Sequence, residues 1–108
     1  MIDDNLVAQV NILVDLVNYQ SGAIVSRTII EREKGSITVF AFYENQGLSE
    51  HTTPYDAVVQ SIEGEAIVTI SGNPLQLKQG DIVILPANKP HAVKALTKFK
   101  MILTMIKS

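Results

Sequence analysis

Two side chains in this sequence combine titration near neutral pH with affinity for metals. They are His51 and His91, the sole histidines among 108 residues. Imidazole moves protons at physiological pH and is the commonest protein ligand for metals. His51 lies in the stretch from Gly47 to Gly64, and His91 in the stretch from Gly80 to Ala95. Both stretches set short Val and Ile runs between glycines, the grammar of strands and turns. Two readings compete for the pair. Either the fold joins the imidazoles as metal ligands, or each ring is buried and bonded to polar neighbours or water.

Other chemistries find less support. The chain has no cysteine, so thiolate centres and disulfides are excluded. Ser49 stands two residues from His51 on the same expected strand face. No acid orients that pair, which makes acyl transfer a weak reading. No glycine-rich phosphate loop or dinucleotide fingerprint occurs.

The elements that must position the histidines are mostly strands. Alternating apolar residues predict strands over 24–30, 36–43, 57–62, 65–71, 82–85, 91–95 and 99–106. Both faces of the 36–43 segment are apolar (Ile37, Val39 and Ala41 against Phe40 and Phe42), so that strand should be covered on both sides. The segment 82–85 reads as a short buried strand ended by Pro86. Glu63-Gly64 reads as a hairpin turn, and 31–35, 44–47, 71–74 and 78–81 read as further turns. Residues 3–18 fit a short helix through Leu6, Val10, Leu13 and Val17, or an extended segment through Val10, Ile12, Val14 and Leu16. The helix is preferred, packed outside the barrel. Strand-and-turn spacing this regular in an all-β chain implies a barrel or sandwich.

Composition narrows the class. At 108 residues the chain is expected to be one domain, 1–108, with a barrel core over about 23–106. Net charge is −2 and the nine Lys and Arg are scattered, so no nucleic-acid partner is expected. No apolar run approaches the ~20 residues of a membrane span. The start, Met1-Ile-Asp-Asp-Asn5, lacks a basic region, so a cytoplasmic, non-membrane protein is expected.

In frame, the two histidine segments resemble the paired motifs of the cupin superfamily, small jelly-roll barrels of the double-stranded β-helix type. Gly80, Pro86 and His91 match the second motif, with Asn88 in a glycine place and Ala95 in an asparagine place. Asn tolerates the left-handed backbone region that such a glycine occupies. His51 and Gly64 match the first motif, while Thr53 stands for its second histidine and Ala57 for its carboxylate.

The resemblance implies a metal site reduced to His51 and His91. Asp56 and Gln60 are minor candidate ligands, because strand alternation turns both away from the face of Ala57 unless a bulge intervenes. One divalent transition metal (Zn, Ni, Fe or Mn), weakly bound, or none at all, is the implied cofactor. Thr53, Ala57, Val59, Tyr55, Phe40, Phe42 and Met101 are the candidate pocket residues. Core packing competes for the two Phe and Met101, and Tyr55 is expected at the mouth. Lys89 and Lys94 flank His91, either to attract an anionic ligand or, as such lysines more often are, as solvated surface. The expected partners are a small-molecule ligand and a second copy in a homodimer.

The reading preferred is a small-molecule-binding barrel. The alternatives are a metal-dependent dioxygenase or isomerase acting on a small oxygen-rich substrate, and a non-enzymatic ligand sensor or partner protein. No residues remain for a helix-turn-helix, so DNA contact would need another protein.

Overall fold

The computed structural model describes residues 1–107. Nine strands follow in order: β1 (Ile24–Arg32), β2 (Gly35–Phe42), β3 (Gly47–His51), β4 (Asp56–Glu63), β5 (Ala66–Ile70), β6 (Asn73–Leu77), β7 (Ile82–Leu85), β8 (His91–Ala95) and β9 (Phe99–Ile106). They form two antiparallel sheets, one of five strands in the order β1-β2-β9-β4-β7 and one of four in the order β3-β8-β5-β6. The inner faces meet in one apolar core. Phe42, Val59, Phe99 and Met101 come from the larger sheet, and Ala66, Val68, Val93 and Ala95 from the smaller. The all-β jelly-roll expectation holds.

Alternation along β2 and β9 explains a second apolar layer. Phe42, Phe99 and Met101 point into the core, while Val39 and Ala41 point outward. The outward pair is covered by Val17, with Leu16 and Tyr19 beside it. β2 is therefore covered on both faces, as its composition requires.

The covering segment corrects the helix expected over 3–18. Only two 3-10 turns form there, Asp4–Leu6 and Leu13–Asp15, and the rest is a non-helical strap of extended and turn backbone. Its apolar period is broken by what it packs on: Val17 is buried, whereas Val10 is 98% exposed. The strap is fixed by Arg27, which donates to the Asp3 carboxylate at 2.8 Å and to the Leu16 carbonyl at 3.2 Å. That guanidinium hydrogen bond holds the Asp3 carboxyl below its ordinary range, against the opposing effect of burial and with help from the Asn5 amide.

Three other expectations change. β7 lies at a sheet edge, so Ile82 and Ile84 face outward and are exposed; only Leu85 is buried. β6 begins inside the expected 71–74 turn. Its Pro74, which cannot donate to a ladder, is tolerated because β6 is also an edge strand. Glu63-Gly64 is not a hairpin turn, since β4 pairs with β7 and β9 while β5 pairs with β6 and β8. It is a corner that carries the chain from one sheet to the other, preceded by a bulge between Ser61 and Glu63.

Gly64 makes that corner possible. Its φ is +81°, and a Cβ there would lie 2.0 Å from the Lys98 carbonyl oxygen. Gly72 has a similar φ of +80° with nothing within 4 Å of its Cβ position. Gly72→Ala should therefore cost about 1–2 kcal/mol, the left-handed penalty alone. Gly64→Ala should cost more than about 3 kcal/mol, because backbone must also move. Urea unfolding of the two variants separates these; equal losses would show that the corner relaxes freely.

Candidate functional site

β3 and β8 pair so that His51 stands directly opposite His91. The register shifts between Leu48 and His51, where Ser49 and Glu50 oppose Ala92 alone. This bulge has a chemical consequence. Without it, Leu48 and His51, three residues apart, would point to opposite faces. With it, both line the same cavity between the sheets. Ser49, expected on the face of His51, is instead exposed beside Thr69 and Ala92 on the outer side of the sheet.

The two rings approach edge to face, with centroids 4.3 Å apart and Nε2 atoms 3.1 Å apart. His51 Nδ1 lies 3.0 Å from the Ser49 carbonyl, and His91 Nδ1 3.3 Å from the Lys89 carbonyl. A carbonyl only accepts, so the tautomer that makes both of these contacts has a proton on each Nδ1 and a lone pair on each Nε2. Two lone pairs at this distance do not attract. A neutral pair must give up one carbonyl contact to make an N–H···N bond, whereas a cation between the Nε2 atoms keeps both. Carbonyl contacts of this kind fix tautomer and ring orientation in metal-binding histidines.

Burial separates the two rings. His51 is exposed and His91 is 7% exposed. Burial, and then the nearby His51 charge, hold His91 below the ordinary imidazole value of 6.5, against an upward pull from the Lys89 carbonyl. Double protonation of the pair is thus disfavoured.

Beneath the rings lies a cavity of about 40 Å³. Ala57, Val59, Leu85, Val93 and Met101 form its buried wall, each 4% exposed or less. Leu48, Leu103 and Met105 complete the apolar lining, and Thr53 shares the polar end with the histidines. Of the sequence candidates, the structure brings together His51, His91, Thr53, Ala57, Val59 and Met101. Phe42 is in the core and Phe40 packs against it, outside this lining, as is half-buried Tyr55. Asp56 and Gln60 are exposed on the side of β4 away from Ala57, and Asp56 accepts from the Ala87 amide at 2.8 Å.

Sequence reasoning missed Leu48, Leu85, Val93, Leu103 and Met105. The last four were legible in principle, because each shares strand parity with a named residue: Leu85 faces Ala57, and Met105 is four residues beyond Met101. Leu48 was hidden by the bulge. Asn88 adopts the left-handed φ of 65° anticipated for a glycine position, and its amide donates to the Thr53 carbonyl at 2.7 Å. That bond ties together the two loops that frame the mouth.

As a metal site, the donor set is short. Among the described residues no group of three or more His, Cys, Asp or Glu side chains converges. The two Nε2 atoms nonetheless fit one ion, since nitrogens 3.1 Å apart can both reach ~2.0–2.1 Å from a common centre.

The lowered proton affinity of His91 links folding to pH. The unfolded chain takes up this proton near pH 6.5 and the folded chain at a lower pH. Its contribution to stability is therefore complete above 6.5 and lost as pH falls toward the folded value. Metal-free protein should lose stability below pH 6.5 with a slope of up to about 1.4 kcal/mol per pH unit. His91→Gln should remove that slope in urea titrations between pH 7.5 and 5. An unchanged slope in the variant would assign the effect to other groups.

Comparison with known proteins agrees with this architecture. The family described as Cupin domain matches residues 38–107. A conserved protein of unknown function from Streptococcus pyogenes superposes with a TM-score of 0.90 at 33% identity, over 94% of this chain and 89% of that one. A Cupin 2 conserved barrel domain protein from Leptotrichia buccalis gives 0.85 at 36% identity, over 88% of this chain but 46% of that one. A cupin superfamily protein from Desulfitobacterium hafniense shares the fold with a TM-score of 0.86 at 24% identity, over 89% of this chain and 88% of that one. No curated protein matches. Among the described residues, no helix is long and apolar enough to cross a membrane. With two facing antiparallel sheets, a histidine from each of two paired strands and a family match over 38–107, the chain belongs to the cupin family.

Proposed function

We propose that this chain is a small-molecule-binding barrel in which His51 and His91 hold one divalent transition ion at the mouth of an apolar cavity. The observation that carries the reading is the pair of Nε2 atoms 3.1 Å apart, with each Nδ1 within hydrogen-bond reach of a backbone carbonyl. When bound, the ion supplies a positive centre for an oxygen-bearing head group. The residues of the chain do the rest. The Ser49 and Lys89 carbonyls orient the rings, and the walls at Ala57, Val59 and Met101 exclude water.

The donor set also ranks the ion. Imidazole suits Zn and Ni, whereas Mn favours carboxylate and carbonyl oxygen, which Ala57 does not supply. Zn or Ni is therefore favoured over Mn. Binding is favoured over catalysis, because the two histidines are the only titratable side chains of the described lining. As ligands, neither is free to act as acid or base.

Two side-chain ligands hold an ion weakly, and imidazole protonation releases it in mild acid. Zn added at about 100 times its Kd should raise unfolding stability by about 2.7 kcal/mol at pH 7.5. At pH 5.5 the gain should be clearly smaller. His51→Ala and His91→Ala should each weaken binding by roughly 100-fold or more. Calorimetric titration with Zn, Ni and Mn checks the order. Uptake undiminished in either variant would place the ion elsewhere and end this reading.

A further inference from the structure

We infer that the ligand of this cavity is a short-chain aliphatic monocarboxylate, its head seated at the histidine pair and a tail of about three to four carbons filling the apolar chamber. The inference rests on the proposed ion at His51 and His91 and adds the chemical class of what it binds.

Polarity is distributed to one end only. His51, His91 and Thr53 are the polar members of the lining, and none of the described lining residues is Asp, Glu, Lys or Arg. The buried remainder offers side chains of Ala, Val, Leu and Met alone. The three polar groups are also short of donors. The Nδ1 protons go to the Ser49 and Lys89 carbonyls, and the Thr53 hydroxyl donates to the Tyr55 carbonyl at 3.2 Å. Lone pairs remain. A polyhydroxylated ligand would bring hydroxyls into a wall with nothing to bond them, which opposes its binding. An ion on the two Nε2 atoms converts the acceptor-only mouth into a seat for a single anionic head. No acidic residue of the described lining competes for that charge.

Size sets the tail. A chamber of about 40 Å³ has room for about three or four water-sized groups, since one such group needs roughly 10–15 Å³. That matches a row of three to four methyl and methylene groups and is too small for a sugar ring. A straight chain also suits the wall, because Val59 and Met101 (0% and 1% exposed) sit in the packed core and cannot swing aside without opening it.

The test is a calorimetric titration of the zinc-loaded protein with the straight-chain carboxylates from acetate to octanoate, beside galacturonate. Affinity should rise roughly fourfold per methylene, the transfer value for a buried CH₂, up to pentanoate, and then level off or fall. Galacturonate should not bind. Two variants should move the limit in opposite directions: Val59→Ala toward longer chains and Ala57→Val toward shorter ones. Because wild type carries the main readout, misfolding of a variant leaves the test intact.

Galacturonate binding as well as butanoate, or affinity indifferent to chain length, would overturn the aliphatic assignment while leaving the ion site standing. Absence of zinc binding would remove both. Tighter binding of butylamine to metal-free protein than of butanoate to the zinc form would also overturn it, because the lone pairs would then be serving an ammonium group.

Discussion

β9 must be buried on both faces, and this constraint orders the rest of the molecule. It is the central strand of the larger sheet. Phe99 and Met101 point into the core, while Lys100 points outward yet is only 6% exposed. A buried ammonium persists only when its protons find partners. Lys100 donates to the Val14 carbonyl at 2.6 Å, lies 4.0 Å from the Glu63 carboxylate and stands over the Tyr19 ring at 4.8 Å. Tyr19 in turn donates to Glu63 at 2.6 Å. Burial, and then the Glu63 carboxylate, raise the Tyr19 phenol well above its ordinary value, so it stays a donor. The strap therefore gives the covered ammonium its carbonyl partner. On its other face the same β9 supplies Met101, Leu103 and Met105 to the cavity wall.

That coupling explains why the strap was the least legible part of the sequence. Its apolar residues fit helical and strand periods about equally, and the choice is made by Lys100 and Val39, some tens of residues away. Propensity yields to tertiary contact in such cases. The barrel strands read more faithfully, because period-two alternation is imposed by the two faces of a sheet and is local. Phe40 and Phe42 against Val39 and Ala41 already announced two covered faces. Edges were invisible for a related reason. Ile82 and Ile84 look like core residues in sequence, and only the order of strands in the sheet places β7 at its border.

At the site, the resemblance to the paired cupin motifs placed His51, His91, Thr53 and Ala57 in one frame, and the structure brings all four to one cavity. What spacing could not supply was the parity of β3. One extra residue between Leu48 and His51 reverses which side chains share a face, and nothing in Leu48-Ser-Glu-His51 signals it by type. Within the bulge the Ser49 carbonyl lies 3.0 Å from His51 Nδ1. A single backbone feature thus turns the ring to the cavity and lies beside one of its nitrogens.

The two positions that lose ligands relative to the family motif have a common physical effect. A carboxylate in place of Ala57 would bring negative charge to a wall where Ala57 is 4% exposed and Leu85 and Met105 are its cross-strand neighbours. Such a group needs an ion or donors to be tolerated. With alanine there, the wall is apolar without interruption and the space beneath the histidines is left to hydrocarbon. Thr53 acts in the same direction, since its hydroxyl is turned to the Tyr55 carbonyl and adds no free donor. Coordination strength and apolar volume are therefore opposed at this site. On the reading proposed above, the residues that would leave an ion weakly held are the same ones that would make a hydrocarbon tail welcome, so affinity would come more from burying the tail than from gripping the head.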